Sequence, residues 1–127
     1  HNLLNEGYPP EKIVVTGNTV IDALMTVAAI KYDWSKGPLA NFKENQRIVL
    51  ITAHRRESFG EPFREIYHAI KELALKFKSS GIHFVYPVHM NPNVQRPVNE
   101  ILSGISNISL VEPLDYTSFV HLMKNSE

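Results

Sequence analysis

Cysteine is absent from this chain, which excludes a disulfide framework and a thiol nucleophile. No apolar run approaches the ~20 residues that a membrane span requires. The opening His1-Asn2-Leu3-Leu4 does not have the form of a signal peptide. Neither sign of charge is in excess, since Lys plus Arg and Asp plus Glu are 13 each. That balance excludes a binder whose affinity rests on a basic surface, so neither nucleic acid nor a membrane is expected as a partner. These absences suit a reducing, cytoplasmic setting. What is present is 127 residues with 43% hydrophobic composition, one domain's worth of chain with enough apolar material for a core.

The most informative stretch is 47–62, R-I-V-L-I-T-A-H-R-R-E-S-F-G-E-P. Residues 48–53 form a β-branched apolar run, the composition of a strand buried on both faces of a parallel sheet. The run stops abruptly at His54, Arg55, Arg56 and Glu57. Residues 58–60 read as a turn, and Pro62 stands where a helix has its first residue. A solvated strand-to-helix loop fits those residues. So does an anion site, because the carboxyl end of a strand before a helix N-terminus is where open α/β sheets bind ligands. The order of strand, charged cluster, turn and helix favours the site.

Along the chain, residues 2–6 read as a helix end stopped by Gly7, and 12–16 as a short strand. Asn18 caps a helix from Thr19, with Ile21, Leu24, Met25 and Ala28 on its buried face. Residues 32–46 lose periodicity and read as a linker whose aromatics pack on the domain. A helix over 62–78 follows, with Phe63, Ile66, Ile70, Leu73 and Phe77 facing inward and His68 on the surface. Residues 82–88 are a second buried strand ending in His89, and Asn91-Pro92 are the cap and first residue of a helix. Pro97 predicts a kink or restart before Val98, Ile101 and Leu102. Gly104 stops that helix, 108–111 are a third strand, and Asp115 caps a last helix with Tyr116, Phe119, Val120 and Met123 on one face. This alternation specifies an α/β fold with a parallel sheet. With no further strand before Glu127, a sheet edge is expected to lie exposed, as in part of a larger protein.

His54 and His89 each end a buried strand just before a helix. Two histidines invite a metal, but no Asp, Glu or Cys accompanies His89, and no metal is expected. Imidazole also hydrogen-bonds phosphate when neutral and attracts it when charged. Arg55 and Arg56 can each grip a phosphate through paired bonds. Glu57 suits an orienting partner for the arginines better than a general base. Either histidine is also compatible with a satisfied structural role, which is the reading for His83 inside its strand.

T-A-H-R-R-E-S-F-G-E-P resembles the hallmark of the non-hydrolysing UDP-N-acetylglucosamine 2-epimerases. V-T-G-N-T-V-I-D-A-L, V-Y-P-V-H-M-N-P and E-P-L-D-Y…F resemble further motifs of that family, in the family's order. The resemblance implies a Rossmann-like parallel sheet within a two-domain GT-B architecture. It assigns 1–31 to the end of an N-terminal domain and interdomain helix, 32–46 to a linker, and 47–127 to the first half of the C-terminal UDP-binding domain. It implies interconversion of UDP-N-acetylglucosamine and UDP-N-acetylmannosamine by elimination and re-addition of UDP through a glycal, with no metal or redox cofactor, in a homodimer. His54 would touch the UDP as it leaves, with Arg55, Arg56 and Glu57 beside it. Phe119 matches a position beside the uracil. Leu114 matches a contact where some members carry an amide, so here the contact would be through backbone. Arg55 and His89 match positions that, in allosterically regulated members, meet a second UDP-N-acetylglucosamine. The family's acid/base carboxylates and its Ser-Gly-Gly phosphate motif fall outside these residues, so the chain alone is expected to be inactive. A UDP-sugar glycosyltransferase of the same architecture and a non-catalytic nucleotide-binding module are the alternatives.

Overall fold

The computed structural model describes residues 1–53 and 61–127, Glu61 by its backbone alone. The expected cluster His54, Arg55, Arg56 and Glu57 and the turn at 58–60 lie outside the described residues. The chain divides into two compact units, His1–Ile30 and Lys31–Glu127.

The first unit holds two helices, α1 (Asn2–Asn5) and α2 (Thr19–Ala29), with a 3-10 turn at Pro10–Lys12. Asn18 caps α2 by accepting the Val20 N–H at 3.2 Å, as its position before a helical run predicts. Two expectations fail here. Residues 12–16 form no strand, and Val14 and Val15 are 79% and 94% exposed. An extended apolar run becomes a strand only beside a pairing partner, and none is described next to it. No residue of α2 is buried either, and Ile21 and Met25 stand above 60% exposure. Helical spacing tells which residues share a face, not whether anything covers that face.

The second unit is a three-layer α/β/α sandwich. Its sheet is parallel, in the order β1 (Ile48–Leu50), β2 (His83–Pro87), β3 (Ile108–Val111). Val49 pairs with Phe84, and Tyr86 with Leu110. On one face lie α3 (Glu61–Lys76) and α4 (Pro92–Leu102), burying Phe63, Tyr67, Val94, Val98 and Leu102 against Tyr86 and Val88. On the other face the 32–46 segment and α5 (Tyr116–Lys124) pack Trp34, Leu39, Phe42 and Leu122 against Ile48 and Val85. Consecutive β2 residues thus serve opposite layers, as the strand's period of two dictates.

Three registers differ from expectation. The inner stripe of α3 is Phe63, Tyr67, Ile70 and Ala74, while Ile66 and Leu73 stay over a third exposed. Both stripes satisfy helical spacing, and the amphipathic tyrosine and small alanine are the ones the sheet accepts. Pro97 does not restart α4, which runs unbroken to Leu102. The N–H it lacks would bond residue 93 in the helix's first turn, and Val94 and Val98, both buried, hold the flanking turns. In α5 the buried residues are Ser118, Val120, His121 and Leu122, whereas Tyr116 and Met123 are exposed. The reason is Tyr32, whose ring stacks on His121 at 4.7 Å and whose hydroxyl meets Ser118 Oγ at 2.9 Å.

The sheet edge at β1 is not left bare along its whole length. Ser126 forms a parallel bridge with Ile48, the Glu127 N–H donates to the Ile48 carbonyl at 2.8 Å, and Arg47 pairs with Glu127 at 2.5 and 2.9 Å. Since β2 occupies the other side of β1, the strand order reverses at β1. No helix among the described residues is long and apolar enough to cross a membrane.

Candidate functional site

The carboxyl ends of the three strands point the same way, and a pocket of about 200 Å³ opens there, lined by Thr52, Pro87, His89, Pro113, Leu114 and Phe119. Each strand contributes through the residues that follow it or end it. Thr52 lies two residues past β1, Pro87 ends β2, and Pro113-Leu114 follow β3. The first turn of α5 supplies Phe119. The walls are mostly apolar, an aromatic ring, a leucine and two prolines, with a histidine and a threonine as the polar groups. Among the described residues, two larger depressions of about 600 and 560 Å³ are lined only by residues of the 31–46 segment, so neither has a strand end in its wall.

Local sequence explains how these side chains are set. β2 runs out at Pro87, and the Val88 N–H still bonds the Val111 carbonyl at 2.9 Å. The chain then turns sharply into α4. In that turn His89 Nδ1 accepts the Asn91 N–H at 3.1 Å, and Asn91 Oδ1 accepts the Asn93 N–H at 2.9 Å. An accepting Nδ1 places the proton of the neutral imidazole on Nε2. His89 is exposed at the pocket, at the start of α4, whose cap is a neutral asparagine. α5 begins differently. Asp115 accepts the Ser118 N–H at 2.9 Å and the Ser118 hydroxyl at 2.5 Å. Those two donors hold its carboxyl below the ordinary carboxylate range. So α5 carries its own anion at its N-terminus, and α4 does not.

Of the residues singled out from sequence, His89, Leu114 and Phe119 meet in this one pocket. His54, Arg55, Arg56 and Glu57 begin one residue after Ala53, the last described residue beyond β1. His83 is half-buried in β2, bonded to Ser109 Oγ at 2.8 Å and edge-on to Phe42, away from the pocket. Thr52, Pro87 and Pro113 line the pocket although nothing about their types draws notice. Their position at strand carboxyl ends was the available signal. Among the described residues no group of three or more His, Cys, Asp or Glu is placed to hold a metal ion.

Known proteins resemble this chain over nearly its whole length. A family model described as UDP-N-acetylglucosamine 2-epimerase matches residues 1–127. A probable UDP-N-acetylglucosamine 2-epimerase of Ralstonia nicotianae is 50% identical over 130 residues, covering 96% of this chain and 34% of the relative. The UDP-N-acetylglucosamine 2-epimerase of Salmonella typhimurium is 46% identical over 131 residues, covering 98% and 34%. Among solved structures, the Neisseria meningitidis UDP-GlcNAc 2-epimerase bound to UDP-GlcNAc superposes with a TM-score of 0.70 at 39% identity, covering 99% of this chain and 35% of that one. The S. aureus MnaA–UDP co-structure gives 0.74 at 37% identity, covering 98% and 32%. The chain therefore spans about a third of the length of the curated relatives it matches. Because the family model matches the whole of the chain, residues 1–127, this chain belongs to the UDP-N-acetylglucosamine 2-epimerase family.

Proposed function

We propose that the complete protein containing this chain is a UDP-N-acetylglucosamine 2-epimerase, and that the pocket described above takes the uracil end of the nucleotide. The observation that carries this reading is the meeting of His89, Leu114 and Phe119 at the carboxyl ends of three parallel strands. Relatives solved with UDP-GlcNAc and with UDP support it. At about 200 Å³ the pocket is smaller than the ~300–1,000 Å³ of sites that enclose a whole small ligand. It suits one ring. Phe119 offers that ring a face, and the Leu114 backbone offers hydrogen bonds. Residues 54–57 follow directly from the β1 end of the pocket in sequence, where the ribose and diphosphate would extend.

In this reading the segment's cations do the electrostatic work. The reaction removes the C2 proton of the sugar, the electrons form a C1–C2 double bond, and the C1–O bond breaks with UDP taking the pair. UDP re-adds at C1 as C2 is protonated on the other face. Charge develops on the diphosphate as C1–O breaks, and His54, Arg55 and Arg56 are the groups that would stabilise it, with Glu57 orienting the arginines. The base and acid are assigned to the remainder of the protein, across the cleft, so the chain alone is proposed to be inactive. Arg55 and His89 are proposed as contacts for a second, activating UDP-N-acetylglucosamine. The proposal places the domain boundary and linker at 1–31, 32–46 and 47–127, and includes cytoplasmic, homodimeric assembly, which sedimentation of the complete protein tests.

Incubating the complete protein with UDP-N-acetylglucosamine in deuterated water is expected to place deuterium at C2 of UDP-N-acetylmannosamine. Release of free N-acetylmannosamine as the main product would point instead to hydrolysis.

A further inference from the structure

The pocket residues Leu114 and Phe119 stand at the two ends of one short turn, and what anchors that turn lies outside it. The β2–β3 ladder reaches the Val111 carbonyl, bonded by the Val88 N–H at 2.9 Å. Pro113 has no N–H to carry the bonding onward. The next fixed point is the start of α5. There Asp115 accepts the Ser118 N–H at 2.9 Å and the Ser118 hydroxyl at 2.5 Å, and the Phe119 N–H bonds the Asp115 carbonyl at 2.9 Å. Every partner in this cap lies between Asp115 and Phe119. The cap therefore shapes the turn without fixing where the turn lies against the sheet.

Tyr32 joins the cap to a distant part of the chain. Its hydroxyl meets Ser118 Oγ at 2.9 Å across 86 positions of sequence. The direction of this bond follows from the partners. Ser118 has a single hydroxyl proton and gives it to the Asp115 carboxylate, which only accepts when ionised, so Tyr32 is the donor. The tyrosine ring is itself held on two sides, stacked on His121 at 4.7 Å and edge-on to Trp34 at 5.6 Å. His121 is 3% exposed, and its Nε2 has no hydrogen-bond partner among the described residues, so its contact with Tyr32 is one of rings alone. Tyr32 and Leu114 both pack against the apolar layer that holds Trp34 and Val85. A phenylalanine at position 32 would keep all of this packing. What tyrosine adds is the bond to Ser118, the residue just before Phe119.

From this juxtaposition we infer that Tyr32 is a positioning residue for the nucleotide pocket: through Ser118 it fixes the turn that carries Leu114 and Phe119. The inference rests on the reading of that pocket proposed above. Tyr32 does not itself line the pocket. Phe119 offers a base its face, and Leu114 its backbone, only where both stand at set distances from Thr52, Pro87 and His89. A turn free to shift is competent for part of the time, and apparent affinity falls by that fraction.

The test is calorimetric titration of the complete protein with UDP, with thermal unfolding measured on the same samples. Tyr32→Phe is expected to weaken UDP binding about three- to tenfold, within the scale of one hydrogen bond. Ser118→Ala breaks the bond from its other side and is expected to weaken binding at least as much. In the double variant the loss should match that of Ser118→Ala alone, since one bond cannot be lost twice. Asn107→Ala is the control for stability. Its buried amide donates to the Ala74 carbonyl at 2.8 Å just before β3, at the opposite end of the sheet from the pocket. That variant should lower the unfolding midpoint and leave UDP affinity unchanged. Phe119→Ala tests the pocket itself. Weakened binding in Phe119→Ala beside wild-type affinity in Tyr32→Phe overturns the positioning role and leaves the nucleotide reading standing. Wild-type affinity in Phe119→Ala overturns both. Losses that add in the double variant, or an equal loss in Asn107→Ala, reduce Tyr32 to ordinary packing and also overturn the role. If Tyr32→Phe does not fold, wild-type affinity in Ser118→Ala alone overturns it.

Discussion

Replacing Asp115 with alanine is expected to destabilise the Lys31–Glu127 unit by about 2 kcal/mol, as two losses combine. The carboxylate caps α5 by accepting the Ser118 N–H at 2.9 Å, and loss of such a cap costs about 1 kcal/mol. It also accepts the Ser118 hydroxyl at 2.5 Å, and Ser118 is only 2% exposed, so that hydroxyl cannot turn to water. Left with Tyr32 at 2.9 Å as its partner, it adds roughly 1 kcal/mol more. In a domain of this size class, 2 kcal/mol lowers the unfolding midpoint by about 8–16 °C. Asp115→Asn keeps one acceptor oxygen for the Ser118 N–H but gives up the second oxygen's bond from the Ser118 hydroxyl and the charge at the helix start, the charge alone being worth about 0.3–1 kcal/mol.

Acid supplies a second check on the same group. The Ser118 hydroxyl and N–H hold the Asp115 carboxyl below its ordinary range. A depressed carboxyl contributes stability above its unfolded pKa of about 3.9 and loses it as pH falls through the folded value. The charge-dependent gap between wild type and Asp115→Ala should therefore hold from pH 7 to 5 and narrow below about 4. Thermal and urea unfolding at pH 7, 5 and 3 measure it. A midpoint for Asp115→Ala within about 2 °C of wild type at pH 7, well inside the shift expected above, would refute the assignment of the cap.

Two further outcomes are expected. Burial holds the His83 imidazole below its ordinary pKa, so the fold loses stability as pH falls from about 6.5 through the folded value. His83→Gln should flatten that slope between pH 7 and 5, and an unchanged slope would assign it to another group. Phe119→Ala should weaken UDP binding to the complete protein by roughly 1–3 kcal/mol, the range for losing a base-stacking ring. Unaltered affinity by titration would move the base out of this pocket.

What was legible in the sequence was what neighbours in the chain decide. Asn18, Asn91-Pro92 and Asp115 mark helix starts because a cap bonds N–H groups two or three residues on. The three strands were legible as short apolar runs. Burial by distant partners was not. Val14 and Val15 have strand composition but, among the described residues, no strand beside them, and the buried face of α5 includes a serine and a histidine because Tyr32 lies against them. Tyr67, absent from the inner stripe that spacing suggests for α3, is likewise fully buried. In each case the missing information is the identity of a residue far away in the chain.

The site divides along the same line. His89, Leu114 and Phe119 could be named one by one, but only the parallel register of β1, β2 and β3 brings them to one pocket. The deciding feature is the smallest one, the bridge between Ser126 and Ile48. After β1, β2 and β3 are laid down in order, the chain returns past both to the free side of β1, so connections run away from that strand in opposite directions. The loops above its carboxyl end must then part, and an α/β sheet binds its ligand in the gap they leave. Ser126 and Ile48 carry no chemistry and no motif. Yet their pairing puts the reversal of strand order at β1, the strand whose carboxyl end leads to Thr52 in the pocket wall.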